Sequence, residues 1–144
     1  MQRLVTFPSR SALLDIAGGD MTSGTIRSVL LVEDQAIVAS DLQRFLDGTG
    51  YHVVGPVGSP DEALSKIASG NLDGAVLDVK LLGDASPHIS DALKAANVPH
   101  IFINGWADGR IPEQCRDRPL LNNPYDYCSL LAALKGEMGE HATG

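Results

Sequence analysis

Three carboxylates stand where two apolar runs end. Val29-Leu30-Leu31-Val32 leads into Glu33-Asp34, and Gly74-Ala75-Val76-Leu77 leads into Asp78, followed by Val79, Lys80, Leu81, Leu82 and Gly83. Short apolar runs of this kind read as buried strands. In an open parallel sheet, neighbouring strands deliver the residues at their carboxyl ends into one crevice, which is the usual place for ligand chemistry in that architecture. Asp78 therefore has two acidic neighbours to work with, and a loop is expected to begin just after it.

The elements around these residues alternate. After Glu33-Asp34, the residues Ile37, Val38, Leu42, Phe45 and Leu46 recur at helical spacing, with Gly48 and Gly50 as the stop. Tyr51 to Val57 is rich in β-formers. Ser59-Pro60-Asp61-Glu62 then reads as a helix start, with Ser59 as N-cap, Pro60 in the first position and Glu62 closing a capping box. Leu64 and Ile67 give that helix its buried stripe and Gly70 ends it. Beyond the Asp78 strand, Ser86-Pro87 reads as a second cap and first-turn pair, with Ile89, Ala92, Leu93 and Ala96 facing inwards. Pro99 to Asn104 is a fourth strand. Gly105, Gly109, Pro112 and Pro119 argue against a full helix between Gly105 and Pro119. Leu120-Leu121 is a short last strand, and Pro124 opens a final helix with Tyr127, Leu130, Leu131 and Leu134 on its face.

This alternation predicts an α/β fold: a five-stranded parallel sheet with helices on both faces, flavodoxin-like, with a short or irregular fourth helix. Residues 28–138 form the domain and 139–144 a C-terminal tail. Residues 1–27 form an extension, either a tail without order or a short helix over Ser11 to Ala17, and Met21 is an alternative start.

Composition narrows the function. The 144 residues suffice for one domain, and 44% hydrophobic with 20% charged residues is ordinary for a globular chain. A formal net charge of -7 offers nucleic acid no basic surface and makes a cation or a protein the natural partner. Cys115 and Cys128 have no metal-ligand spacing, and His52, His88, His100 and His141 are scattered, so a reducing cytoplasm with unpaired thiols is the simplest account. No apolar run approaches the roughly 20 residues that span a bilayer.

Taken together, these residues resemble a response-regulator receiver domain of the CheY-like kind. Leu31-Val32-Glu33-Asp34 is similar to the family's acidic pair after the first strand, Val76-Leu77-Asp78-Val79 to its phosphoacceptor strand, and Asn123-Pro124 stands where the family has Lys-Pro. The likeness covers about Ser28 to Met138. Val98-Pro99-His100-Ile101-Phe102-Ile103-Asn104-Gly105-Trp106 further resembles the signature of the stand-alone FAT GUY receivers, and Leu120 stands where other receivers carry an aromatic switch residue. The resemblance implies that Asp78 is phosphorylated by a histidine kinase or phosphotransfer protein. It also implies Mg²⁺ bound by Glu33 (through a water), Asp34, Asp78 and the backbone carbonyl of Lys80. Oxygen ligands suit that ion, and clustered carboxylates need a cation.

Two departures from the family stand out. Asn104 replaces a Thr or Ser and Asn123 replaces a Lys; either amide can donate to a phosphoryl oxygen, but neither carries charge. A lysine at about 4 Å in an effective dielectric near 20 would supply as much as ~4 kcal/mol before desolvation, so its loss weakens phosphorylation and switching. The Lys80 side chain could fold back over the site in compensation, and Trp106 could shield it from water.

The favoured function is an atypical stand-alone receiver of a two-component phosphorelay, not an enzyme. Its output is contact with an unknown downstream protein, and a homodimer is left open. The alternative is a degenerate receiver that binds protein without phosphorylation. A phosphatase with an Asp nucleophile ranks last, because Lys80 stands where a second Asp is usual.

Overall fold

The computed structural model describes residues 26–104, 117–122 and 125–139. The expected helix over Ser11 to Ala17, the irregular stretch from Gly105 through residue 116, and Asn123-Pro124 lie outside the described residues.

Five strands and five helices are described: β1 (Ser28–Val32), α1 (Ala36–Gly48), β2 (His52–Val57), α2 (Pro60–Ser69), β3 (Gly74–Asp78), α3 (Val79–Leu82), α4 (Ser86–Ala95), β4 (His100–Asn104), β5 (Leu120–Asn122) and α5 (Tyr127–Glu137). All strand pairs are parallel, in the order β2-β1-β3-β4-β5. The chain thus reverses its direction of sheet growth beside β1, which opens a crevice at the carboxyl ends of β1 and β3. This is the expected fold class.

Side-chain alternation along the strands divides the core in two. Leu30, Val32, Ala75, Leu77 and Phe102 face α2 and α4, against Ala63, Ile67, Ile89 and Leu93. Val29, Leu31, Val76, Ile101 and Ile103 face α1 and α5, against Leu42, Leu46, Leu130 and Leu134. Glu33 and Asp78 continue the second parity, so their side chains lean towards α1 and α5.

Local chemistry explains most of the boundaries. At α2, Ser59 Oγ accepts from the Glu62 N–H at 3.2 Å, and the Glu62 carboxylate accepts from the Gly58 N–H at 2.9 Å. The capping box therefore forms, with its return bond one residue earlier than expected. Gly70, at φ 80°, ends the helix.

Several expectations are corrected. The expected loop after Asp78 begins with one helical turn: Asp78 caps α3, Gly83 ends it at φ 52° and ψ -126°, and a 3₁₀ turn over Gly83–Ala85 leads into α4. Ser86 is consequently no cap, because the backbone before it is already helical; its φ -53° and ψ -47° are helical too, and its buried hydroxyl has no partner among the described residues. Ile37 is 77% exposed, since one and two turns on from it stand Asp41 and Arg44, on the solvent side of α1. Ala39, Leu42 and Leu46 form the buried stripe instead. Ala96 is exposed as the C-cap of α4. The final helix, expected to open at Pro124, begins at Tyr127, with Asp126 as its cap: Asp126 Oδ1 accepts from the Ser129 N–H at 2.6 Å.

Candidate functional site

The register of the sheet sets the site. Val32 is level with Leu77, so the next residues, Glu33 and Asp78, emerge side by side from neighbouring strands. Asp78 is itself level with Ile103 on β4, which puts Asn104 one step beyond it. Asn104 is in turn level with Asn122 on β5, and its Nδ2 donates to Asn122 Oδ1 at 3.3 Å.

Oxygens of Glu33, Asp34 and Asp78 all lie within 4.8 Å of one another. Glu33 and Asp78 are buried, at 5% and 3% exposure, whereas Asp34 is exposed. Backbone groups hold the pair in place. The Glu33 N–H donates to the Val57 carbonyl at 2.9 Å, its Oε2 accepts from the Gln35 N–H at 3.1 Å, and Asp78 Oδ1 accepts from the Lys80 N–H at 3.0 Å.

The Val57 contact depends on an irregularity at the edge of the sheet. The β1/β2 register shifts between Leu30 and Val32, opposite Gly55 at φ 103°. A Cβ on Gly55 would stand 2.8 Å from the Val57 nitrogen and 3.0 Å from the Leu31 carbonyl oxygen. Only glycine fits that conformation and that approach.

Two buried carboxylates this close do not both ionise readily. Burial is the largest influence on Glu33, raising its pKa from 4.5 to about 7. The Gln35 N–H opposes the rise, while the hydrogen bond with Asp78 and the charges of Asp78 and Asp34 add to it. Burial also pushes Asp78 above the usual carboxylate range, opposed by the Lys80 N–H and by Glu33 as a hydrogen-bond donor. Without a cation, then, the pair holds a proton between its oxygens near neutral pH. A divalent ion could take that proton's place, and hard oxygen donors suit Mg²⁺.

A cleft of about 290 Å³ opens from the pair between α1 and the start of α5, lined by Glu33 and Asp78 together with Val38, Ile103, Tyr125 and Tyr127. The sequence reading singled out neither Tyr125 nor Asn122. Tyr125 was legible as an aromatic residue with a polar tip in the segment entering the last helix, and Asn122 as the last residue of a strand.

The expected site residues divide clearly. Glu33, Asp34 and Asp78 come together, and Asn104 lies beside them at the next strand end. Lys80 is exposed in the first turn of α3 with its N–H turned to Asp78. Helical carbonyls point towards the C-terminal end, so the Lys80 carbonyl reaches a cation beside Asp78 only if this turn opens. Asn123 and Trp106 lie outside the described residues, as does Cys115, while Cys128 is an exposed thiol. Among the described residues, no helix is long and apolar enough to cross a membrane.

No protein-family model matches the chain. Among curated proteins, it is 29% identical over 99 residues to the phyllosphere-induced regulator PhyR of Methylorubrum extorquens, covering 67% of this chain and 37% of PhyR. It is 26% identical over 120 residues to the transcriptional regulatory protein PdtaR of Mycobacterium tuberculosis, covering 81% of this chain and 58% of PdtaR. The chain thus spans less than two thirds of either relative. Among solved structures, it superposes on the BeF₃-activated conformation of SdrG from Pseudomonas melonis with a TM-score of 0.63 and 34% identity, over 74% of this chain and 93% of SdrG. With the β2-β1-β3-β4-β5 sheet and the acidic pair at its switch point, this likeness shows that the chain belongs to the response-regulator receiver domains.

Proposed function

We propose that this chain is an atypical receiver of a two-component phosphorelay in which Asp78 accepts the phosphoryl group. The observation that carries the reading is the burial of Glu33 and Asp78 side by side, with an oxygen of Asp34 within 4.8 Å. Such a cluster is costly to fold unless a cation or a proton occupies it, and it contributes nothing to the core.

In the proposed step, a carboxylate oxygen of Asp78 attacks the phosphorus of an N-phosphorylated imidazole on a histidine kinase or phosphotransfer protein. The P–O bond forms as the P–N bond breaks, and the leaving nitrogen keeps the electron pair and takes up a proton from water. Glu33, Asp34 and Asp78 would hold Mg²⁺, whose charge would offset that on the transferring group. The Lys80 N–H fixes the Asp78 carboxylate by one oxygen. The Asn104 amide, paired with Asn122, stands at the position expected to sense the phosphoryl group, and Asn123 and the Lys80 side chain are the remaining contacts assigned to it.

Residues 28–138 constitute the receiver in this reading, working in the cytoplasm and passing the signal on by contact with a downstream protein. The BeF₃-activated state described for SdrG supports a direct assay here. With Mg²⁺ present, beryllofluoride and acetyl phosphate should modify the wild-type chain and not Asp78→Ala.

A further inference from the structure

We propose that Tyr125 is a phosphoryl-contacting residue of this site, its hydroxyl donating a hydrogen bond to the group carried by Asp78. The inference rests on the assignment of Asp78 as phosphoacceptor and adds a donor outside the expected set.

Three observations carry it. First, Tyr125 lines the cleft that Glu33 and Asp78 open into. Second, its ring is held: it packs against the core beneath α1 and α5, and the next residue, Asp126, is fixed as the cap of α5 by its 2.6 Å bond to the Ser129 N–H. Third, its hydroxyl makes no hydrogen bond among the described residues, while the charged groups nearest to it in the cleft are carboxylates. Burial, followed by the charges of Glu33, Tyr127 and Asp78, pushes the phenol up to about 12, so it is an O–H donor at any working pH. The neighbouring Tyr127 feels Asp41 and Arg44 rather than the acidic pair and serves as an internal control.

The chemistry of the site calls for such a donor. A phosphoryl group on Asp78 presents three strong acceptor oxygens to a cleft whose strand ends are acidic. One N–H of the Asn104 amide is engaged by Asn122, and the residue at the family's lysine position is uncharged. A phenol fixed by packing loses little entropy on making the bond.

The test compares wild type, Tyr125→Phe, Tyr127→Phe and Asp78→Asn by beryllofluoride titration with saturating Mg²⁺, alongside Mg²⁺ affinity and thermal melting for each. Tyr125→Phe is expected to melt as wild type, to keep its Mg²⁺ affinity and to bind beryllofluoride on the order of tenfold more weakly, the loss of one hydrogen bond to a charged group. Tyr127→Phe is expected to match wild type. Equal beryllofluoride affinity in Tyr125→Phe and wild type overturns the inference while leaving Asp78 as acceptor. An equal loss in both phenylalanine variants, or a loss accounted for by weaker Mg²⁺ binding, overturns it as well. No Asp78-dependent binding in wild type would remove the phosphoacceptor reading itself, and the inference with it.

Discussion

Replacing Glu33 with Gln should remove the share of the acidic pair's pH sensitivity that Glu33 carries, and the size of the effect follows from its burial. Glu33 is 5% exposed, and its pKa rises from 4.5 to about 7 on folding, chiefly by desolvation. A folded-state pKa above the unfolded value means that the folded protein binds the proton more tightly. The stabilisation is therefore complete below about pH 4.5 and is lost as pH rises through about 7. At 1.36 kcal/mol per pH unit, the cation-free protein loses about 3 kcal/mol across that window, a large part of a typical domain's stability.

The assay is urea unfolding of wild type and Glu33→Gln without divalent ions, at about pH 5 and about pH 8. The contribution of His100, which runs in the opposite direction, cancels in the difference between the two proteins. That difference should shift by about 2 to 3 kcal/mol, with wild type the less stable partner at the higher pH. Adding Mg²⁺ at about 100 times its dissociation constant should return about 2.7 kcal/mol to wild type and much less to Glu33→Gln. A pH-independent difference, or equal stabilisation of both proteins by Mg²⁺, would refute the reasoning.

Other consequences follow from the same geometry. Gly55→Ala should destabilise the fold by about 1–3 kcal/mol and weaken Mg²⁺-dependent stabilisation too, because the new Cβ displaces Val57, whose carbonyl holds the Glu33 N–H; urea melts with and without Mg²⁺ read both. Buried His100 accepts from the Ser90 hydroxyl at 2.7 Å and donates to the Val98 carbonyl at 3.0 Å, so Ser90→Ala should cost about 1–3 kcal/mol in unfolding free energy. Burial holds His100 below its ordinary 6.5, so its contribution is intact above pH 6.5 and declines as pH falls below it; an NMR titration of the ring should show protonation delayed to that lower range. If the Lys80 carbonyl joins the ion, Mg²⁺ should shift the amide resonances of Val79 to Leu82 more than those of α4.

Much of this arrangement was legible in the sequence because single residues carry it. The apolar runs before Glu33 and Asp78 place both carboxylates at strand ends, and Ser59-Pro60-Asp61-Glu62 encodes its helix start in four side chains. The failures arise where a neighbour overrides a local signal. Ser86-Pro87 resembles a cap in isolation, but the 3₁₀ turn over Gly83–Ala85 reaches it already wound. Ile37 fits the apolar count of α1, but at about 100° per residue it falls nearly opposite the buried stripe of Ala39, Leu42 and Leu46. Register was the hardest to see. The level placement of Val32 with Leu77 brings Glu33 beside Asp78, and that of Asn104 with Asn122 pairs two amides; neither is visible from one strand alone. Tyr125 escaped for the same reason, since its place at the site depends on how α5 packs beside α1.

The most direct test of the central claim is the intact mass of the protein after incubation with acetyl phosphate and Mg²⁺, read beside Asp78→Ala. The account predicts the addition of one phosphoryl group to wild type, labile at alkaline pH as an acyl phosphate is, and none to the variant. An adduct that persists in Asp78→Ala, or its absence from wild type both here and in transfer from a phosphorylated histidine kinase, would contradict it.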